Sequence, residues 1–209
     1  MTDRAQTSQE PTPGSSRPRA RIPDESQDFQ DLLDAHAAGD RAAFDELVAL
    51  VYPRLRAVAR RQLAGRRHGL LFDTTGLVNE AYLRLARKPA GPCSSPSHFF
   101  GVAGRAMRQV LVDYARSRQA SKRGRGKEPV SLDESRLGLE TEIETVLQVD
   151  RVLAHLAEID PRLVRVIECR FFAGLTEVET AKALAVTART VQRDWKRAKA
   201  WLRAELAAA

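Results

Sequence analysis

The residues best suited to recognition chemistry lie within TARTVQRDWKRAKAW, residues 187–201. At helical spacing, one face of this segment carries a set of long polar or hydroxyl side chains: Arg189, Thr190, Gln192, Arg193, Lys196 and Arg197. Arginine forms bidentate hydrogen bonds with guanine, and glutamine forms them with adenine, whereas basic side chains also neutralise phosphates. This face is therefore a candidate for reading base edges in the major groove of DNA.

The sequence just before this face predicts the pair of helices that would position it. Thr176 and Glu179 stand three residues apart, which is the spacing of a capping box at a helix start. That helix runs to Leu184, and Thr187 can cap the helix that follows. The inward-facing residues are Ala181, Leu184, Val186, Val191 and Trp195. The pattern is that of a helix-turn-helix, with residues 188–200 as the helix that enters the groove. A basic helical hairpin that binds no ligand is the alternative.

Charge is arranged in blocks along the chain. The formal net charge is +7, but residues 49–127 alone carry +14 and residues 161–209 carry +5. Residues 24–48 and 128–160 each carry −7. A stretch as basic as 49–127 repels itself without a counter-anion, and nucleic acid is the commonest such partner. Charge alone also allows an arginine-rich solvated surface.

Hydrophobic periodicity predicts helices along the chain and no strands. The predicted fold class is all-α, with two small helical domains joined by a flexible linker. Residues 1–25 are rich in Pro, Ser, Gln and Arg and predict a disordered tail. Residues 26–122 form the first helical domain, and residues 123–139 form the linker, where Gly, Pro and Ser replace periodicity. Residues 140–209 form the domain that contains the helix-turn-helix.

Single residues add local expectations to this outline. Pro53 predicts a break or a kink in the second helix, because proline has no backbone N–H to donate. Ser97 is the predicted N-cap of the long helix that follows it. Phe171 is placed on the inner apolar stripe of the helix that starts after Asp160.

Longer stretches of the sequence resemble the sigma-70 family of RNA polymerase initiation factors. GLTEVETAKALAVTARTVQRDWKRAKAWLRAEL resembles region 4. TTGLVNEAYLRLARKP, followed by SHFFGVAGRAMRQVLVDYARSRQASKRG and VSLDE, resembles region 2 of an extracytoplasmic-function (ECF) subgroup. The resemblance covers about residues 27–206, in the family's order and with only the two domains that ECF factors keep. It implies a bacterial transcription initiation factor that binds core RNA polymerase and reads −10 and −35 promoter elements.

The resemblance also implies a role for each group of candidate residues. The helix around Leu77–Leu85 corresponds to the surface that docks on the β′ clamp helices. Its contacts would be Asn79, Glu80, Tyr82 and Arg84, although Tyr82 could equally belong to the core. The helix from His98 corresponds to the part that captures the −10 element. Its residues would be Phe99, Phe100, Arg105, Arg108, Arg116, Arg118 and Lys122. The face within residues 188–200 would read the −35 element.

Capturing unpaired bases needs aromatic platforms and positive charge. Phe99 and Phe100 could supply the platforms, and the nearby arginines the charge. Adjacent residues on a helix cannot share a face, so at least one of the two phenylalanines is expected in the core.

The implied partners are core RNA polymerase, through the β′ clamp helices and the β flap, and promoter DNA. An anti-sigma factor or other regulator is a further expected partner. Two positions depart from the family pattern. Residues 90–93 (AGPC) stand where members of the subgroup tend to have a tryptophan, and Ala185 occupies a turn position usually held by glycine. If Ala185 is left-handed, alanine costs about 1 kcal/mol relative to glycine there.

No catalytic or metal-binding pattern competes with this interpretation. The four histidines, His36, His68, His98 and His155, lack metal-ligand spacing, and Cys93 and Cys169 exclude a disulfide scaffold. We expect a cytoplasmic protein without cofactor, enzymatic activity or membrane insertion, since no signal peptide or spanning segment is visible. The alternative function is a conventional helix-turn-helix regulator whose N-terminal helices sense a ligand or partner. The +14 charge of residues 49–127 argues against a sensor pocket.

Overall fold

The computed structural model describes residues 27–64, 73–87, 93, 95–124 and 134–208. Within these ranges the chain forms eight α-helices: α1 (Gln27–Ala37), α2 (Arg41–Leu63), α3 (Thr74–Arg87), α4 (Pro96–Gly124), α5 (Glu134–Ile159), α6 (Pro161–Ile167), α7 (Glu177–Leu184) and α8 (Ala188–Ala208). A π-helical turn, Glu168–Phe172, continues α6. The predicted all-α class is confirmed.

Several sequence predictions fall outside the described residues. These are the tail at 1–25, His68, residues 90–92 of the departure from the family pattern, and residues 125–133 of the linker. Helix α5 begins inside the linker predicted at 123–139. The division into two domains stays a prediction.

Side-chain caps set the helix starts, largely where the sequence placed them. Asp160 accepts hydrogen bonds from the backbone N–H groups of residues 162 and 163 at the start of α6. The capping box forms as predicted: the Thr176 hydroxyl accepts from the Glu179 N–H (3.2 Å), and the Glu179 carboxylate accepts from the Thr176 N–H (2.6 Å). The cap predicted at Ser97 is wrong. Ser95 accepts from the backbone of His98 instead (3.1 Å), because α4 begins two residues earlier than predicted.

Pro53 does not end α2, which continues through it from Arg41 to Leu63. A proline in a helix leaves the carbonyl four residues earlier without its usual partner. Here that carbonyl belongs to Ala49, and both Ala49 and Pro53 are exposed. Solvent can therefore reach the unpaired carbonyl, which explains why the helix tolerates the proline.

Helix α4 is buried along much of its length, because other helices pack on several of its sides. It contacts α2, α3, α5, α7 and the π-helical turn. Its buried apolar residues are Phe99, Phe100, Ala103, Ala106, Met107, Val110, Leu111, Val112 and Ala115. They belong to one hydrophobic cluster that runs from α1 into the second half of the chain, where it includes Ile143, Val146, Cys169, Ala173 and Leu175. The predicted first and second domains therefore share a core in this structure.

The backbones of the two halves approach each other closely at Gly104 of α4. A Cβ atom at Gly104 would lie 2.7 Å from the Cβ of Ala173 and 2.8 Å from its backbone nitrogen and Cα. Glycine is therefore needed because the backbone of Ala173 occupies the space of a side chain. Close by, the amide of Gln62 donates to the carbonyl oxygens of Gly104 and Phe172, both at 3.2 Å. This one side chain bridges α2, α4 and the π-helical turn.

A buried ion pair joins α2 to α7. The guanidinium of Arg54 lies 3.2 Å from the Glu179 carboxylate and 4.6 Å from the centre of the Phe100 ring. Both partners are largely buried, so breaking this pair by removal of one partner should cost about 3–5 kcal/mol. Glu179 thus has two roles, since the same carboxylate completes the capping box of α7.

The π-helical turn changes which phenylalanine faces inwards. The Ala173 N–H donates to the carbonyl of Glu168 (2.8 Å), five residues earlier, where an α-helix would use the residue four earlier. The turn therefore holds one extra residue. Phe171, predicted on the inner stripe, is consequently 60% exposed, and Phe172 is buried in its place. Phe172 belongs to a second cluster formed by α5, α6 and α8.

Replacing Gly104 by alanine should lower the free energy of unfolding by about 1–3 kcal/mol, because the new methyl group overlaps backbone atoms of Ala173. Chemical denaturation of the full chain measures the change. Gly101→Ala is the matched control, since its Cβ would meet only the Cys169 sulfur, at 3.3 Å. A Gly104→Ala protein as stable as Gly101→Ala would contradict the close approach of the two halves.

Candidate nucleic-acid interface

A tight turn positions α8 against α7. Ala185 is left-handed, with φ 53° and ψ 45°, and its N–H bonds back to the carbonyls of Ala181 and Lys182. Because Ala185 is left-handed, alanine costs about 1 kcal/mol relative to glycine at this position. Thr187 then caps α8 by accepting from the Thr190 N–H at 3.1 Å. Behind the turn, Val166, Ala181 and Val191 form a small shared core.

Most of the predicted DNA-reading side chains are exposed on α8. The exposed members are Arg189, Gln192, Arg193, Lys196 and Arg197. Thr190 is half-buried, and its hydroxyl lies 2.9 Å from that of Thr187. The Gln192 amide donates to Glu177 of α7 at 2.7 Å, which fixes the orientation of this side chain. The exposed face of α8 therefore presents guanidinium, ammonium and amide groups together.

Arginines of α4 meet two carboxylates from the second half of the chain. Arg108 lies 2.6 Å from Asp150 and 3.2 Å from Glu168. Arg116 binds the other oxygen of Asp150 at 2.8 Å, and Arg105 lies 3.7 Å from Glu168. The structure thus brings three of the predicted −10 residues, Arg105, Arg108 and Arg116, into one cluster of ion pairs with Asp150 and Glu168.

The remaining arginines of α4 differ in their exposure. Arg118 is exposed and donates to the Tyr114 hydroxyl at 2.9 Å. Arg105 and Arg116 are more than half exposed, but the side chain of Arg108 is only 12% exposed. Lys122 lies within α4, and its side chain is outside the described residues.

The predicted aromatic platform is absent from the surface of this structure. Phe99 is 4% exposed and Phe100 is fully buried. Phe99 packs edge-on against Phe29 of α1, while Arg54 covers Phe100. Because α4 is covered by other residues on the side of Phe99 and on the side of Phe100, both of these adjacent rings lie in the core. Neither ring can stack on a base in this arrangement.

The predicted polymerase contacts lie on α3. Asn79 and Glu80 are exposed, and Arg84 forms an ion pair with Asp113 of α4. A groove of about 520 Å³ between α3 and α4 is lined by Glu80, Leu83, Arg84, Arg87, Val110, Asp113 and Tyr114. Leu83 is exposed at its edge. The groove therefore combines apolar and charged side chains.

Tyr82 is half-buried on α3, and its ring stacks on Phe44 of α2. Its hydroxyl donates to Asp45 at 2.5 Å, and this hydrogen bond, together with burial and the Asp45 charge, raises the pKa of Tyr82. The residue is therefore both a core contact and a polar group at the surface.

The surroundings of the two cysteines favour the neutral thiol over the thiolate. Both are unpaired; burial raises the pKa of Cys93, and raises that of Cys169 to about 12. In the described part of the chain, no group of three or more His, Cys, Asp or Glu side chains is placed to hold a metal ion. No described helix has the length and hydropathy needed to cross a membrane.

Sequence reasoning missed the acidic residues that organise these surfaces. Asp150 lies in the acidic block 128–160, and its position between two basic blocks is a signal that it could pair with them. Asp194 is fully buried on α8, in phase with Val191 and Ala198. That periodicity marks it as an inward-facing residue. Glu168 gave no such signal, because it lies within the basic block 161–209 and not in an acidic one.

Comparison with known proteins identifies a family over most of the chain. A family model described as ECF sigma factor matches residues 26–208. A solved structure, that of CnrH in complex with the cytosolic domain of CnrY, aligns at 21% identity with a TM-score of 0.40. The alignment covers 87% of this chain and 98% of the other. A search of curated proteins found no match.

Proposed function

This chain belongs to the ECF sigma factor family, and we propose how its own residues carry out the tasks of that family. An ECF sigma factor is a transcription initiation factor that binds core RNA polymerase and directs it to promoters through their −10 and −35 elements. It is a transcription factor rather than an enzyme. We place its action in the cytoplasm, where polymerase and promoter DNA meet.

We propose that α8 reads the −35 element. The observation that carries this assignment is the exposed face of α8, held by a helix-turn-helix whose caps and turn are all formed. The N-terminal part of such a helix lies deepest in the groove, so Arg189, Gln192 and Arg193 would contact base edges. Lys196 and Arg197 lie one turn further on and would contact phosphates.

The arginines of α4 would hold the −10 region of the promoter. Arg108 accommodates two carboxylates at once in this structure, which supports an anion-binding role. Carboxylate and phosphate oxygens bind a guanidinium in similar ways. We therefore propose that Arg105, Arg108 and Arg116 exchange Asp150 and Glu168 for DNA phosphates when the promoter binds. The same exchange would uncover part of α4.

Docking on core polymerase would use the outer side of α3. Asn79 and Glu80 are exposed, and the adjacent groove offers Leu83 as an apolar contact. An apolar contact surrounded by charged groups is typical of interfaces that must form and separate. This surface is built from α3 and α4 alone, so docking does not require α8 to be near.

Glu80→Ala should weaken binding to core polymerase by about 1–3 kcal/mol, because an exposed interface contact is lost while the core of α3 is untouched. The effect is measured by titrating the chain into core polymerase and recording promoter-dependent initiation at each concentration. The wild-type chain should support initiation, and the variant should need a higher concentration. Glu46→Ala, an exposed glutamate of α2, is the matched control. Equal titration curves for the two variants would place docking elsewhere.

Asp150→Asn should increase the affinity of the full chain for single-stranded −10 DNA by about fivefold, since its partly exposed ion pair with Arg116 contributes about 1 kcal/mol. The gain arises because Arg108 and Arg116 lose their shared carboxylate. Fluorescence anisotropy with a labelled oligonucleotide measures it. Glu158→Gln removes the same charge from an exposed site on α5 and serves as the control. Identical affinities for both variants would show that Asp150 does not compete with DNA.

Arg193→Ala should cost about 1–3 kcal/mol on the preferred −35 sequence and reduce discrimination at one base position. Lys196→Ala should instead weaken binding to all sequences alike and lower the salt slope by about one counterion. The measurement is the affinity of reconstituted holoenzyme for matched and base-substituted −35 elements across a series of salt concentrations. Equal losses for Arg193→Ala on matched and substituted DNA would show that this arginine only positions the helix.

A further inference from the structure

A buried carboxylate lies within the helix proposed to read DNA. Asp194 has no exposed surface, and it shares the inner face of α8 with Val191 and Ala198, which are equally buried. A carboxylate on an apolar helix face is strongly destabilising unless cations compensate its charge. Cations close to Asp194 must therefore compensate its charge.

Three arginines surround this carboxylate. The Nε of Arg162, from α6, lies 2.8 Å from one oxygen of Asp194. The other oxygen lies 3.5 Å from the Nε of Arg193 and 3.9 Å from Nη1 of Arg197. Arg197 also approaches Asp160, the N-cap residue of α6, at 3.7 Å. These contacts are ion pairs without hydrogen-bond geometry at either Asp194 oxygen, so charge attraction alone groups cations from α6 and α8 around one buried anion.

The outer ends of these arginines remain accessible. The side chains of Arg193 and Arg197 are 65% and 56% exposed, whereas that of Asp194 is 1% exposed. The contact of Arg193 with Asp194 uses Nε, and a bidentate pair with guanine can use the two terminal nitrogens. The carboxylate can therefore hold the base of the guanidinium without occupying the atoms that would read a base.

We propose that Asp194 is a positioning residue for −35 recognition: it orients Arg193 and Arg197 before DNA binds. This inference rests on the proposed reading of the −35 element by α8. A long arginine side chain loses rotamer freedom when it binds a base edge, and orientation in advance reduces that loss. Arg193 would gain the most, because it lies nearer the N-terminal end of α8, where base contacts are made.

A purely structural role makes a different prediction. If Asp194 served only to tie α6 to α8 through Arg162, its loss would lower stability and leave the selectivity of the folded protein unchanged. If it orients the arginines, its loss changes selectivity as well. The charge balance adds a second distinction, because without Asp194 the positive charge of Arg193 and Arg197 is no longer partly neutralised.

The test compares reconstituted holoenzymes that carry the wild-type chain, Asp194→Asn or Glu205→Gln. Glu205→Gln is the matched control because it removes one negative charge from the same helix, beside His155 rather than the arginines. Binding to matched and base-substituted −35 elements is measured across a salt series. For Asp194→Asn we expect discrimination to fall about fivefold or more, which is the share of one bidentate contact. We also expect a salt slope steeper by about one counterion.

The inference would be overturned if the Asp194→Asn protein were less stable but showed the same −35 discrimination and salt slope as the Glu205→Gln protein. Wild-type holoenzyme that fails to distinguish matched from substituted −35 elements would overturn the proposed reading by α8, and the inference with it. A double-mutant comparison adds support: in an Arg193→Ala background, Asp194→Asn should have little further effect on discrimination. An undiminished effect there would show that Asp194 does not act through Arg193.

A measurement on the wild-type chain covers the case in which Asp194→Asn does not fold. Nuclear magnetic resonance of the arginine Nε–H groups reports how well each guanidinium is ordered in the free protein. The Nε–H of Arg193 should be more ordered and exchange more slowly with solvent than that of Arg189, which is exposed on the same helix. Equal disorder at the two arginines would contradict orientation by Asp194.

Discussion

The architecture depends on how closely α4 approaches the backbone that follows α6. At Gly104 the space of a side chain is taken by Ala173, and Gln62 bonds to carbonyls on both sides of the contact. Because interiors are close-packed, this approach sets the positions of the neighbouring groups within small tolerances. It places the π-helical turn against α4, and it brings Glu179 of α7 within reach of Arg54 of α2. The shared core includes Ala173 of this contact together with Ala103 and Ala106, which flank Gly104 on α4.

The same contact decides the electrostatics of α4. With α5 and the π-helical turn packed beside it, Asp150 and Glu168 face Arg108 from two directions. A guanidinium buried to this extent needs anions nearby, and carboxylates supply them in the absence of DNA. The arginines of the proposed −10 surface therefore already have carboxylate partners in the protein alone. Promoter binding would replace one set of anions by another instead of creating new charge contacts.

On α8 the buried carboxylate of Asp194 contacts arginines of the exposed basic face. Asp194 lies among apolar residues, but its oxygens reach Arg162, Arg193 and Arg197 at the surface. The left-handed Ala185 and the cap at Thr187 fix where α8 begins. Local hydrogen bonds therefore set the direction of the helix, and one ion cluster is proposed to set the direction of its side chains.

The sequence by itself determined what depends on near neighbours in the chain. The all-α class, the capping box at Thr176, the cap at Asp160 and the exposed basic face of α8 all follow from spacings of a few residues. The tertiary structure decided what depends on distant partners. Phe99 and Phe100 are both buried because α4 is covered on two sides, and Phe171 is exposed because a π-helical turn shifts the phase of its helix. The pairing of Arg108 with Asp150 and Glu168 joins residues 42 and 60 positions apart. No local periodicity encodes such pairs, because they form only when packing brings separate helices together.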